Sequence, residues 1–289
     1  MTRPKTFVII VNYNSRKFIQ PCLESLKKQS FRDFRLVVVD NASSDDSLKI
    51  IKQLTSSRVK GLDNSLINNS LIKNKSNVGF PAAANQGIKY ALKNGAEYII
   101  LLGFDTRPDK NWLRELVNQA KKLTKAGIVQ SKILLFPSGQ VQSLGNRISW
   151  LGFGYPSAQP QKNLDYASGT SMLIKKEVFE KIGFLDEKLM FMEDLDFGWR
   201  ARRAGFEIRF ADNSVVGHQY EFLRYSQKYY YLERARKLVL LKNLGWGKLL
   251  LRLPLLAAAE IAIWGHSFLK GWFKDKIRAE IYFWQNLRP

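Results

Sequence analysis

Two short apolar runs in this chain each end on an aspartate: Leu36-Val37-Val38-Val39-Asp40 and Ile99-Ile100-Leu101-Leu102-Gly103-Phe104-Asp105. Runs this apolar and this rich in branched side chains read as strands buried on both faces of a parallel sheet. Ligands of open α/β sheets sit at the carboxyl ends of such strands, so each run delivers a carboxylate there. A single Asp in that place often only opens a turn or caps a helix. Two in one sheet, with their neighbours, point to a site. Asp40 could accept hydrogen bonds from a base or ribose, and Tyr13, within Asn12-Tyr13-Asn14-Ser15, could stack on a base. The stretch Asn77-Val78-Gly79 through Asn85 and Gly87 puts small residues at a helix start, where backbone N–H groups can approach an anion. Asp105 could hold a divalent cation, because hard cations take carboxylate oxygens. Glu193-Asp194-Leu195-Asp196 sets three acids at a predicted helix start, where they complement the helix dipole.

The elements that must position these residues alternate strand and helix through the first two-thirds of the chain, which implies βαβ units. The pattern predicts strands at Phe7–Val11, Leu36–Val39, Leu71–Lys73 and Tyr98–Leu102. Helices are predicted over 15–28, after Asp45 and Asp46, over 81–93 and over 109–122, with Gly95 and Gly127 closing the last two. After Gly127 the pattern turns irregular, with a hairpin turn at Pro137-Ser138-Gly139 and a mobile loop over 152–160. Order resumes at 168–174, then helices follow over 175–181 and 193–204. Asp196 is spaced to pair with Arg200 one turn later.

At 289 residues the chain can bury a large core. Its one cysteine, Cys22, excludes an internal disulfide framework and reads as a small apolar filler in a reducing compartment. Lys and Arg total 46 against 25 Asp and Glu, a net charge of +21 that favours anionic partners. Nucleic acid is not expected among them, since no zinc-finger spacing, RNP-like strand or helix-turn-helix accompanies the charge.

From about Arg224 the composition becomes helical, basic and aromatic, with 13 Lys and Arg against 4 Asp and Glu. Residues 249–269 are long and apolar enough to span a membrane, but Arg252, Pro254 and Glu260 interrupt them. Indoles at Trp246, Trp264, Trp272 and Trp284 among Lys248, Lys270, Lys274 and Lys276 suit helices lying in an anionic bilayer interface. The alternative is a helical subdomain packed on the rest of the protein. The expected division is therefore 1–223 and 224–289.

Taken together and in order, Asn12-Tyr13-Asn14, Asp40-Asn41-Ala42-Ser43, Asn77-Val78-Gly79-Phe80 with Asn85 and Gly87, and Gly169 with Leu173-Ile174 before Glu193-Asp194-Leu195-Asp196 resemble the family-2 inverting glycosyltransferases. The likeness is to their rhamnosyltransferase-like branch and covers roughly 6–220. It implies an α/β fold of the GT-A nucleotide-diphospho-sugar transferase type: Rossmann-like, with a mostly parallel sheet, helices on both faces, and amphipathic C-terminal helices added here. It also implies a hexosyltransferase that moves a sugar, rhamnose among the candidates, from a nucleotide-sugar donor to a glycan or lipid-linked glycan acceptor. The work would be done peripherally at the cytoplasmic face of the cell membrane, in cell-surface polysaccharide assembly. The alternatives are transfer to polyprenyl phosphate, or a degenerate homologue that only binds nucleotide or membrane.

Carried over by position, Tyr13, Asn14 and Asp40 bind the nucleotide, with Asn77, Gly79 and Asn85 shaping that pocket. Asp105 falls on the last residue of the acidic motif that holds Mg2+ or Mn2+, and His218 on a position that completes coordination in some members. His218 is equally well read as a core residue after a strand. Asp194 falls on the general base, with Glu193 beside it in the catalytic acid pair. Gly169 and Thr170 fall near donor sugar or acceptor. Trp199 is placed either to touch acceptor or to pack in the core. Gly103 departs from the branch, which usually carries Asn or Asp there, so the cation site has one side-chain oxygen fewer.

Overall fold

A computed structural model describes residues 5–56, 70–161, 163–221 and 227–286. The expected division at 223/224 lies outside the described residues. The first half runs β1 (Thr6–Asn12), α1 (Ile19–Lys27), β2 (Phe34–Asp40), α2 (Ser47–Ser56), β3 (Ser70–Lys73), α3 (Phe80–Lys93), β4 (Tyr98–Leu102), β5 (Thr106–Pro108) and α4 (Trp112–Lys122). Next come β6 (Ala126–Leu135), β7 (Val141–Ser143), β8 (Asn146–Ile148), β9 (Gly154–Pro156), β10 (Ser171–Lys175), α5 (Lys176–Ile182), α6 (Glu193–Arg203) and β11 (Glu207–His218). Three helices close the chain: α7 (Lys228–Leu244), α8 (Trp246–Leu269) and α9 (Phe273–Gln285).

One sheet runs β3-β2-β1-β4-β10-β6-β11-β5, with β7 beside β6. The βαβ half, β3-β2-β1-β4, is parallel, as is the β6–β11 pair. β10 is inserted antiparallel between β4 and β6 and joins the two parallel blocks. Successive strand residues point to opposite faces, so each central strand feeds two cores. Phe7, Ile9, Val37, Val39, Ile99 and Leu101 pack under α3, α5 and α6. Val8, Ile10, Leu36, Val38, Ile100 and Leu102 pack under α1 and α4. Gly87 lets α3 lie directly on the sheet, since a Cβ there would stand 2.6 Å from Ile9 Cγ2.

The predicted strands and helices of the first 122 residues are found with end shifts of a few residues. After residue 122 the expected order at 168–174 and the helices at 175–181 and 193–204 are found as β10, α5 and α6, but two expectations change. Gly127 ends no helix but lies in the ten-residue β6, where a Cβ would meet Val178 and Phe206 at 2.6–2.7 Å. The hairpin at 137–139 joins β6 to β7, and the stretch taken as a loop contributes β9, paired antiparallel with β8.

α7 ties the C-terminal helices to the rest of the protein. Ala235 and Val239 of α7 share a core with Tyr166, Leu189, Met192 and Leu195, so α7 belongs to the same packed body as α6. Lys242 and Asn243 reach back to the fully buried Asp196, which also pairs with Arg200 as its spacing predicts. α8 and α9 turn Glu260, Lys276 and Glu280 inward, while Lys248, Lys274 and Arg278 stay exposed. Glu233, Arg236 and Lys237 of α7 form a network with Glu260 of α8 and with Lys276 and Glu280 of α9. Their apolar residues face outward: Leu251, Leu269 and Ile261 are 82%, 81% and 75% exposed.

Candidate active site

The carboxyl ends of β1, β2 and β4 meet as the alternating pattern requires, and buried amides set their loops. Asn12 donates to Asp40 Oδ1 at 2.7 Å and to the Ser43 and Ser47 hydroxyls at 3.0 Å each. Asp40 Oδ2 receives a long bond, 3.4 Å, from the Ser43 amide. Asn14 Oδ1 accepts from the Ser44 amide at 2.8 Å, which locks the β1 loop to the β2 loop. Among the described residues, the non-glycines with left-handed backbone are Asn14, Ala42 and Phe191. All three lie in loops of this site, where strained backbone tends to gather.

Asn41 and Asn77 build the next wall. Asn41 donates to Asn77 Oδ1 at 2.7 Å, while Asn41 Oδ1 accepts from Val78 N and Asn77 Oδ1 from Gly79 N. The N–H groups of Val78 and Gly79, just before α3, are thus turned onto side chains. Gly79, at φ +84, is needed for the turn into α3. Tyr13, Asn77 and Gly79 line an open cleft with Glu187 and Phe191. Asn85 lies outside that lining. It is buried and bonded to the Leu185 backbone and, at 3.0 Å, to Glu187 Oε1. It therefore acts on the cleft through Glu187.

The register of β5 against β11 sets Thr106 opposite His218, which brings His218 Nε2 to 3.5 Å from Asp105 Oδ2. His218 Nδ1 is 2.8 Å from Gln142 Oε1. If the Gln142 amide oxygen accepts, the proton sits on Nδ1 and Nε2 would be free to ligate a cation. Two acceptors so placed, with the imidazole oriented by a second partner, suit a shared divalent cation. Among the described residues no group of three His, Cys, Asp or Glu side chains is placed for a metal. Gly103 lies directly beside the carboxylate, a Cβ there standing 2.8 Å from Asp105 Oδ1.

Glu193 and Asp194 open α6. Asp194 Oδ2 accepts from Gly169 N at 3.0 Å, and Oδ1 from Leu195 N at 2.7 Å. Burial pushes Asp194 up to about 6 despite these bonds. Glu193 is pushed higher, by burial first and by the neighbouring Asp194 charge second. Its Oε2 is buried without a partner. The segment before β10 links the two halves of the site: Gly169 holds Asp194, while Thr170 O accepts from Gly103 N at 2.9 Å. Asp194 also stands on the wall of a cavity of about 320 Å3, lined by Phe153, Tyr166 and Phe191 and closed by Tyr229, Trp272 and two residues of α8, Ile263 and His266.

The family profile described as Glycosyl transferase family 2 matches residues 7–183, which carry both strand-end aspartates. The chain belongs to this family.

Among curated relatives, this family-2 chain is 29% identical over 210 residues to the low-salt glycan biosynthesis hexosyltransferase Agl10 of Haloferax volcanii, covering 70% of this chain and 62% of that protein. The match thus spans less than two-thirds of that relative. The N-acetylglucosaminyl-diphospho-decaprenol L-rhamnosyltransferase of Mycobacterium tuberculosis is 25% identical over 240 residues, covering 73% of this chain and 75% of that protein. Among solved structures, GalNAc-T7 with UDP, GalNAc and Mn2+ superposes with a TM-score of 0.63 at 18% identity, covering 80% of this chain and 47% of that one. S. aureus TarS 1-349 in complex with UDP-GlcNAc superposes at 0.60 and 20% identity, covering 83% and 67%. The fold is the GT-A fold expected from the sequence.

One expected residue of this family-2 chain stands apart from the others. Trp199 lies five residues beyond Asp194, and at 3.6 residues per turn that swings it to the other side of α6. It lines a separate cleft with Arg202, Arg203, Lys248 and Arg252. Asn14 stays beside Tyr13 at the rim, exposed and with its Oδ1 bonded to Ser44. Gln142 and Glu187 were not singled out from sequence, because their importance comes only from the partners they meet. Cys22 is buried, and burial pushes its thiol up to about 12, so it is an inert filler.

Proposed function

We propose that the chain is an inverting glycosyltransferase that moves a sugar from a nucleoside diphosphate to a hydroxyl of a membrane-borne acceptor, with Asp194 as general base. The observation that carries this reading is Asp194 itself: oriented by the Gly169 amide, pushed up to about 6, and facing the apolar cavity shared with the C-terminal helices. A base of that strength is mostly ionised at neutral pH yet basic enough to accept a proton from an attacking hydroxyl. As that oxygen bonds to the anomeric carbon, the bond to the phosphate oxygen breaks, its electron pair leaves with the diphosphate, and Asp194 takes the proton. Attack opposite the leaving group inverts the anomeric centre. Tyr13 and Asp40 would hold the nucleoside, and Asp105 with His218 would hold Mg2+ or Mn2+. Such a cation neutralises charge on the diphosphate.

The acceptor reading rests on the cavity and the surface beside it. Aromatic and aliphatic walls suit an amphipathic acceptor, and α8, which closes the cavity, also carries the outward apolar face. The stretch Gly247–Leu269 is long and apolar enough to cross a membrane by length and composition, and most of its large apolar side chains are exposed. Its one acid, Glu260, is drawn into the ion network, which lets the rest of α8 face lipid. The basic cleft of Arg202, Arg203, Lys248 and Arg252 stands at the start of α8, fitting anionic headgroups. The mycobacterial relative's acceptor is, as its name states, carried on a lipid diphosphate; a sugar on such a carrier is the acceptor class we infer, with rhamnose among the donors.

The test is Asp194→Asn. Transfer to a polyprenyl-diphosphate-linked sugar should fall by about 10^2–10^4-fold, with nucleotide binding and melting temperature retained. Wild-type turnover in a folded Asp194→Asn protein would overturn the assignment.

A further inference from the structure

The cleft lined by Tyr13, Asn77 and Gly79 has a second wall, made by Gln227 together with Tyr231 and Arg234 of α7. Arg234 is placed unlike its neighbours. Arg236, two residues on, is saturated by Glu233 and Glu260. Arg234 has no carboxylate within ion-pair distance among the described residues. Its guanidinium stands 4.2 Å from the ring centre of Tyr282, 4.9 Å from Tyr231 and 5.5 Å from Tyr230. Nη2 donates to Lys188 O at 2.9 Å, and Nε is shut from solvent with no acceptor. Three rings and one carbonyl thus fix the fork without neutralising it. A positioned, partly desolvated guanidinium with spare donors matches the geometry and charge of phosphate. Glu187, the acid in the same cleft, is held by Asn85.

The structure assigns to Arg234, we infer, the binding of the phosphate groups of a nucleoside diphosphate in this cleft, so that α7 completes the donor site. This rests on reading the cleft as a nucleotide-sugar site. It also fits the loss of a side-chain oxygen at Gly103: a fixed guanidinium supplies positive charge to the departing diphosphate where the cation site is poorer in ligands. The C-terminal region is then part of the catalytic body as well as a candidate anchor.

The experiment is calorimetric titration of the full chain and of Arg234→Gln with UDP, dTDP and GDP in Mn2+, and with the matching nucleosides by competition. The expected result is a tenfold or greater loss of affinity for the bound nucleoside diphosphate, with nucleoside affinity unchanged. Should Arg234→Gln fail to fold, Arg234→Lys keeps the charge but loses the fork, and should show the same contrast at about threefold. Equal losses for nucleotide and nucleoside would make Arg234 a structural residue and overturn the inference. Unchanged nucleotide affinity with a raised KM for a polyprenyl-diphosphate acceptor would move its phosphate to the acceptor and overturn it too. A wild-type chain that binds none of the three nucleotides would instead overturn the reading of the cleft on which the inference rests.

Discussion

The backbone amide of Gly169 donates to Asp194 Oδ2 at 3.0 Å, so the segment entering β10 aims the carboxylate that opens α6. Because the next residue, Thr170, also holds Gly103, one short segment sets the distance between the proposed base and the proposed cation site. The rate of transfer should therefore depend on the ionisation of Asp194. With its carboxyl raised to about 6, kcat/KM should climb as pH rises through about 6 and level off above it. A profile already flat between pH 5 and 7 would speak against Asp194 as base. Glu193 ionises next to it, so the limb reports the pair.

Glu193 makes a separate prediction about stability. Its folded carboxyl is raised above the unfolded value of 4.5 by burial and by Asp194. Below that value both states are protonated and there is no penalty. As pH rises the unfolded chain loses its proton first, so folding weakens, with the full penalty above about 8. Glu193→Gln should match the parent near pH 4.5 and gain roughly 1–3 kcal/mol by pH 8.5. Thermal melts of both proteins across that range measure the difference, and a gap that fails to widen with pH would refute it.

Asp105 and His218 should act as a unit. Chelation should cut transfer, and His218→Ala should raise the Mn2+ concentration giving half-maximal rate by at least about tenfold. Gln142→Ala, which frees the imidazole to rotate, should produce a smaller shift in the same direction, since second partners are worth about 10–100-fold in metal affinity. Full activity in excess chelator would remove the cation from the reading.

The outward face of α8 can be tested without touching the packed body. Leu251, Ile261 and Leu269 are exposed, so changing all three to Gln should leave the melting temperature near the parent's. Flotation with anionic liposomes should fall by at least about tenfold, each lost apolar contact being worth about 1.5 kcal/mol or more. Glu260→Leu should instead lower the melting temperature, because it leaves Lys276 buried with fewer acidic partners. Unchanged flotation of the triple variant would exclude this face as the membrane contact.

The residues that mark the site are legible in the linear sequence because their signals are local. Asp40 and Asp105 end β-branched runs, Gly79 and Pro81 mark a helix start, and acids sit at the first turn of α6; each is decided within a few residues. β6 and β11 were not legible as long strands, since Gln130, Ser131 and Ser214 interrupt their apolar pattern. Those groups are satisfied only in three dimensions, Ser131 bonding Trp112, Ser171 and Ser214 at 2.8–3.0 Å. Sequence alone likewise determined that the C-terminal region is basic, aromatic and helical. Only the tertiary structure decided that Glu233, Arg236, Glu260 and Lys276 meet inside while Leu251 and Leu269 face out, that α7 walls the cleft of Tyr13 and Asn77, and that β5 pairs with β11 to bring His218 to Asp105. Composition and short-range spacing control what an element is. Which of its faces is buried, and what meets it there, depends on contacts between residues far apart in the chain.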